Sequence, residues 1–185
     1  MGRRELYDHQ GLDLTGEHAQ GKTPRRALIV YFSWTGNTRQ VAESIADVLQ
    51  RQMKVTVEEI KPLRERTYLE WLALSCIPNS RVKILLPAPN PWDYDVVFLG
   101  TPKWTLSCPP VNEYLHSITG IQGKNLMAFL TYGGFDEVRY ARGVIAKIRR
   151  KGMKPGETLM VSRGEVMTRS YLPKVESFCS RATQL

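Results

Sequence analysis

Residues Ala27 to Thr38 read Ala-Leu-Ile-Val-Tyr-Phe-Ser-Trp-Thr-Gly-Asn-Thr, and an amphipathic stretch, Arg39 to Gln52, follows at once. An unbroken apolar run that ends in a hydroxyl- and glycine-containing hexamer predicts a buried strand turning sharply into a helix. Gly36 permits the tight turn and a close approach of the backbone to a ligand. Ser33, Thr35 and Thr38 bring hydroxyls, Asn37 brings an amide, and the helix start brings free N–H groups and a dipole that favours an anion. Such a place is suited to a phosphate. A strand followed by an ordinary Ser/Thr-capped helix fits the same letters, and two later segments bear on the choice.

Beyond this stretch, strand-like and helix-like runs alternate. Strands are expected at Ala27–Phe32, Lys54–Ile60, Val96–Thr101, Leu126–Tyr132 and Leu159–Ser162. Helices are expected at Arg39–Arg51, Glu65–Cys76, Val111–Ser117, Glu137–Lys151 and Ser170–Ala182. In the first helix Val41, Ile45, Val48 and Leu49 share one face. Gly152 and Pro155 are expected to stop the fourth, and Pro173 suits the first turn of the fifth. This alternation predicts an α/β domain, a doubly wound parallel sheet with helices on both faces. Residues 77–94 carry four prolines and read as an elaborated connection before the third strand, placed to cover a site or an interface.

Residues 1–26 are polar and aperiodic and read as an N-terminal tail, leaving 27–185 as one domain. Within the tail, residues Gly16 to Thr23 match the GxxxxGK[ST] nucleotide pattern. That motif needs a strand before it and a helix after it, and here both flanks are wrong, so ATP or GTP binding is rejected. No signal or membrane-length apolar run is readable, which predicts a cytoplasmic chain. Cys76, Cys108 and Cys179 are odd in number and far apart, so they are expected to be reduced, partly buried thiols. The scattered histidines argue against a metal site.

The net charge is +8, and residues 138–185 supply all of it with 11 basic and 3 acidic side chains. A cluster at Lys147, Arg149, Arg150, Lys151 and Lys154 falls where a helix ends, and basic residues complement a helix C-terminus. A solvated face is the preferred reading. Nucleic-acid binding is disfavoured, because the basic residues lack interleaved aromatics and no reader motif is present.

Ligands of open parallel sheets bind outside the carboxyl ends of the strands, which singles out two further loops. Thr101-Pro-Lys-Trp-Thr105, followed by Pro109-Pro110, is a stiffened loop whose Trp104 suits stacking on a flat heteroaromatic ring. Tyr132-Gly133-Gly134-Phe135 places two glycines between two aromatic rings. A phosphate socket beside an aromatic-lined slot has the shape of flavin mononucleotide (FMN).

Over residues 27–183 the sequence resembles the flavodoxin family. Ile29 to Thr38 is similar to that family's phosphate-binding signature, Asp95 to Trp104 with Pro109-Pro110-Val111 to its second flavin loop, and Tyr132-Gly-Gly134 to its third. The resemblance implies five strands in the order 2-1-3-4-5. It puts the FMN phosphate on Ser33, Thr35, Gly36, Asn37 and Thr38, with Trp34 among them. The ring then lies between Thr101, Pro102, Lys103, Trp104 and Thr105 on one side and Tyr132, Gly133, Gly134 and Phe135 on the other. Two departures stand out. One-electron flavodoxins are usually acidic, and they often carry a glycine in the second loop whose peptide can turn over; this chain is basic and has none between Thr101 and Cys108.

The expected function is therefore an FMN-dependent oxidoreductase. It would take electrons from NAD(P)H or a reductase and pass them to a quinone-like or protein acceptor, with the flavin rather than a side chain performing the chemistry. A flavodoxin-type carrier without a substrate site is the alternative, and a flavin-free binding scaffold of the same fold is a further one. A homodimer is left open.

Overall fold

In a computed structural model of the chain, residues 24–85 and 89–184 are described. The tail reading, the Gly16–Thr23 match, His9 and His18 lie outside them, apart from the last three tail residues.

Five strands, β1 (Arg26–Tyr31), β2 (Lys54–Glu59), β3 (Val96–Pro102), β4 (Asn125–Tyr132) and β5 (Lys154–Ser162), form one sheet in the order β2-β1-β3-β4-β5. Every pairing is parallel, with Ile29 opposite Val57 and Phe98, and Phe98 opposite Met127. The order reverses between β1 and β3, so their carboxyl ends flank a crevice. Alternate residues of β1 serve opposite faces. Ala27, Ile29 and Tyr31 join a core with α1 (Asn37–Leu49), α5 (Arg163–Thr168) and α6 (Leu172–Ala182). Leu28 and Val30 join a second core with α2 (Tyr68–Ser75), α3 (Pro109–Ser117) and α4 (Glu137–Arg150). The doubly wound sheet is thus covered on both faces, and β3 is buried along its whole length.

Three details differ from the sequence expectation. Strand β5 begins at Lys154 rather than Leu159, so Pro155 sits inside a strand instead of ending a helix. Proline is tolerated there because β5 is an edge strand. A short helix not expected from the sequence precedes the last one: α5 is opened by a capping box between Ser162 and Glu165 and ends where Arg169 takes φ 58°, and α6 then falls within the expected Ser170–Ala182. Cys76 is exposed, while Cys108 and Cys179 are buried. Burial pushes the Cys108 thiol up to about 11, which keeps it protonated at neutral pH.

The 77–94 connection packs partly on the second loop. Ser80 Oγ and Ser107 Oγ are 2.9 Å apart, and Asn112 donates to the Ser80 carbonyl at 2.8 Å. Pro91–Asp93 forms a single 3-10 turn. No helix among the described residues is long and apolar enough to cross a membrane.

Candidate cofactor site

The first loop leaves β1 and enters α1 through Gly36, whose φ of 84° and ψ of −16° lie in the left-handed region. A Cβ there would strain the backbone although it would meet nothing within 4 Å. No side chain caps α1, so the N–H groups of its first turn face the loop without a protein acceptor from the cap. The Ser33 hydroxyl oxygen is buried and has no hydrogen-bond partner among the described residues. An unmet buried hydroxyl costs about 1–3 kcal/mol, so this oxygen is a position that a polar ligand atom would complete.

Thr38 is 1% exposed, and its hydroxyl lies 2.7 Å from that of Thr131 at the end of β4. The second loop is tied to the same strand end by the Lys103 N–H, which donates to the Thr131 carbonyl at 2.7 Å. It is braced on its other side by Thr105 and Ser75, whose hydroxyls are 2.8 Å apart, and by the Leu106 and Ser107 N–H groups, which both donate to the Ser75 carbonyl. Thr101 is buried with its hydroxyl 3.2 Å from that of Tyr140, and so it lies behind the loop.

A cleft of about 380 Å³ runs between the loops, lined by Thr35, Asn37, Pro102, Lys103, Trp104, Thr131, Tyr132 and Gly133. It continues past Lys103, Trp104 and Gly133 into a second cleft of about 520 Å³ that adds Thr105, Gly134 and Phe135. The three loops named from the sequence therefore converge. Trp104 stands edge-on to Trp71 at 5.6 Å and to Phe32 at 6.3 Å, and Trp34 also meets Trp71 edge-on at 6.4 Å. These contacts fix the angle of Trp104 while leaving it on the cleft wall. Phe135 is 87% exposed, with the Lys103 ammonium 5.6 Å from its ring centre.

Thr131, Leu106 and Asp136, beside the named loop residues, also line the clefts, and four contributors come from outside the three loops. Arg163 and Met167 of α5 line the first cleft, and Tyr68 and Leu72 of α2 line the second. Arg163 brings a cation to the cleft that Asn37 and Thr35 share. Both helices carried a legible sign in their capping boxes, Ser162 with Glu165 and Thr67 with Glu70. Which cleft they would face was not legible.

Comparison with known proteins agrees with this architecture. The flavodoxin family model matches residues 26–174. An uncharacterized protein of Archaeoglobus fulgidus is 37% identical over 138 residues, covering 75% of this chain and 86% of that protein. Among solved structures, a flavoprotein of Lactobacillus acidophilus in complex with FMN superposes with a TM-score of 0.58 at 17% identity, covering 79% of this chain and 99% of the other. An NADPH-quinone reductase of P. pentosaceus gives a TM-score of 0.54 at 13% identity, covering 87% and 99%. At those identities the likeness to the solved structures concerns the fold alone. The family match, by contrast, runs from the first strand through the last and takes in all three converging loops, and on that ground the chain belongs to the flavodoxin family.

Proposed function

We propose that the chain binds FMN in the paired clefts and works as an oxidoreductase, drawing electrons from NAD(P)H or a reductase for a quinone-like or protein acceptor. The observation that carries the reading is the Ser33 hydroxyl, buried without a partner among the described residues, in the loop that enters α1 through the left-handed Gly36. A terminal phosphate supplies the acceptors that this loop lacks. The donor set fits the group.

In this reading Ser33, Thr35 and Asn37 hold the phosphate with the first-turn N–H groups of α1, and Arg163 adds charge from the opposite wall. The Thr38 hydroxyl serves Thr131 instead, so Thr38 acts through its backbone. Pro102 and Trp104 form one wall of the ring slot, while Tyr132, Gly133, Gly134 and Phe135 form the other. When bound, the flavin supplies the redox chemistry. The protein's share is to position it and to limit water around it.

The second cleft favours an enzyme over a pure carrier. Tyr68, Leu72, Leu106 and Phe135 give it an apolar, partly aromatic lining that continues from the ring slot, as a flat acceptor requires. The test is the visible spectrum of the purified protein after FMN reconstitution, followed through anaerobic addition of NADPH and then a quinone. Stoichiometric quenching of FMN fluorescence, bleaching by NADPH and recovery with quinone are expected. Tight FMN without bleaching or turnover would point to a carrier. A protein that quenches no FMN would be a flavin-free scaffold.

A further inference from the structure

Arg149, Arg150 and Lys154 of the basic cluster are exposed, while Lys147 and Lys151 are half-buried beside a groove. A groove of about 420 Å³ follows α4 from Thr105, Leu106 and Asp136, which also line the ring-side cleft, down to Lys147 and Arg150. There it meets a basin of about 300 Å³ between α3 and α4, where Arg81, His116, Lys147, Arg150 and Lys151 converge. From Glu137 to Arg150 the helix advances about 20 Å.

Three independent features mark this groove as a binding surface. Lys147 is half-buried, its ammonium donates to Asn112 Oδ1 at 2.6 Å, and it forms no ion pair among the described residues. Burial, with Arg150 beside it, draws Lys147 below the usual lysine range. A sheltered cation held only by a neutral amide is incomplete without an anion. Neither Arg150 nor Lys151 has a carboxylate partner among the described residues, and Arg81 reaches Glu113 only at 3.9 Å. Gly143 lies exposed in the middle of α4, where a Cβ would meet nothing within 4 Å. Packing gives no reason for a residue that weakens a helix, but a bare backbone in the groove floor lets a ligand lie close.

We propose that the α4 groove seats the 2′-phosphorylated pyridine dinucleotide that donates electrons: the nicotinamide end lies at the Trp104 and Phe135 cleft and the adenosine phosphates lie in the Arg81–Lys147–Arg150 basin. The proposal rests on the oxidoreductase reading and names its donor. In the transfer, one hydride leaves the nicotinamide for the flavin, so NADPH is oxidised to NADP⁺ as the flavin gains the electron pair. The concavity and the sheltered lysine favour a small anion over an acidic protein, and the four cations Arg81, Lys147, Arg150 and Lys151 are suited to more phosphate than a pyrophosphate alone carries.

The test pairs kinetics on the FMN-loaded protein with calorimetry of adenosine 2′,5′-bisphosphate. Lys147→Gln and Arg150→Gln are each expected to raise the KM for NADPH about tenfold, roughly the worth of one charge-assisted contact, and to raise the KM for NADH, which brings the pyrophosphate but no 2′-phosphate, by less. Both should weaken the bisphosphate by a similar factor. Gly143→Gln should do the same without lowering Tm, and Arg142→Gln, on the exposed side of α4, should leave both measurements unchanged. Unaltered NADPH kinetics in the groove variants, with no bisphosphate binding, would overturn the groove while leaving the oxidoreductase standing. Bisphosphate binding that depends on Lys147 and Arg150 supports the groove even in a protein that turns over no quinone. Binding of an acidic protein that survives saturating bisphosphate, with no dinucleotide effect, would overturn it in favour of a protein-docking face.

Discussion

The hydroxyls of Thr38 and Thr131 lie 2.7 Å apart in the interior and join the first turn of α1 to the carboxyl end of β4. The two residues are 93 positions apart in sequence, and their contact holds the first and third loops at a fixed separation. Replacing one partner leaves the other hydroxyl buried and unmet. Thr38→Val and Thr131→Val should each destabilise the protein by about 1–3 kcal/mol, and the double variant by clearly less than their sum. Urea unfolding of the four proteins measures the coupling; additive losses would show that the hydroxyls do not bond.

Ser33 should respond with opposite signs in two measurements. Its hydroxyl has no partner among the described residues, so Ser33→Ala should leave the stability of the FMN-free protein unchanged or slightly raised. The same change should weaken FMN binding about tenfold, equivalent to roughly 1.4 kcal/mol for one lost bond to a charged acceptor. Fluorescence titration of FMN alongside thermal unfolding checks both halves. Equal FMN affinity in the variant would remove Ser33 from the phosphate site.

Gly100 is required by packing rather than by its backbone angles. A Cβ on it would fall 2.2 Å from Phe129 Cζ and 2.6 Å from Tyr31 Cβ. Gly100→Ala at the centre of β3 should therefore destabilise by at least about 1–3 kcal/mol, and Gly100→Ala with Phe129→Leu should recover part of that. Denaturant midpoints report the difference.

Acid stability should depend on Glu165. Its carboxylate lies 2.6 Å from the Lys174 ammonium and accepts the Ser162 N–H at 2.8 Å, joining the start of α5 to α6. The bond from Lys174, then that from Ser162, lowers its pKa below the ordinary carboxylate value of 4.5. A depressed carboxylate stabilises fully above its unfolded pKa and loses that contribution as pH falls through the folded value. Lowering the pH from 5 towards 3 (both about the carboxylate range) should thus cost the wild type more stability than Glu165→Gln. Parallel pH curves for the two proteins would show that the ion pair contributes nothing.

Much of this was legible locally. The buried strand, the glycine turn and the first helix are written in one continuous stretch, Ala27 to Gln52, because strand burial, turn angles and helix periodicity are short-range properties. The strand–helix alternation carried the layered architecture for the same reason. Misreadings arose where context overrode a local signal. Pro155 reads as a helix stop, yet an edge strand accepts it. Helix α5 was not expected, and it ends at Arg169, where no glycine announces the left-handed turn.

The candidate site divides along the same line. Ser33, Gly36 and Trp104 could be picked out by residue type, since phosphate cradling and ring stacking need particular chemistry at loop positions. Arg163 in the first cleft, Trp71 behind Trp104 and the basin of Arg81, Lys147 and Arg150 could not. Their partners are brought from distant parts of the chain by the sheet order. Local chemistry was thus carried by neighbouring residues, whereas the burial of Thr38 against Thr131, the isolation of the Ser33 hydroxyl and the channelled shape of the basic surface came only with packing. Desolvation and hydrogen-bond satisfaction are properties of a filled interior, and no stretch of sequence possesses them before the strands come together.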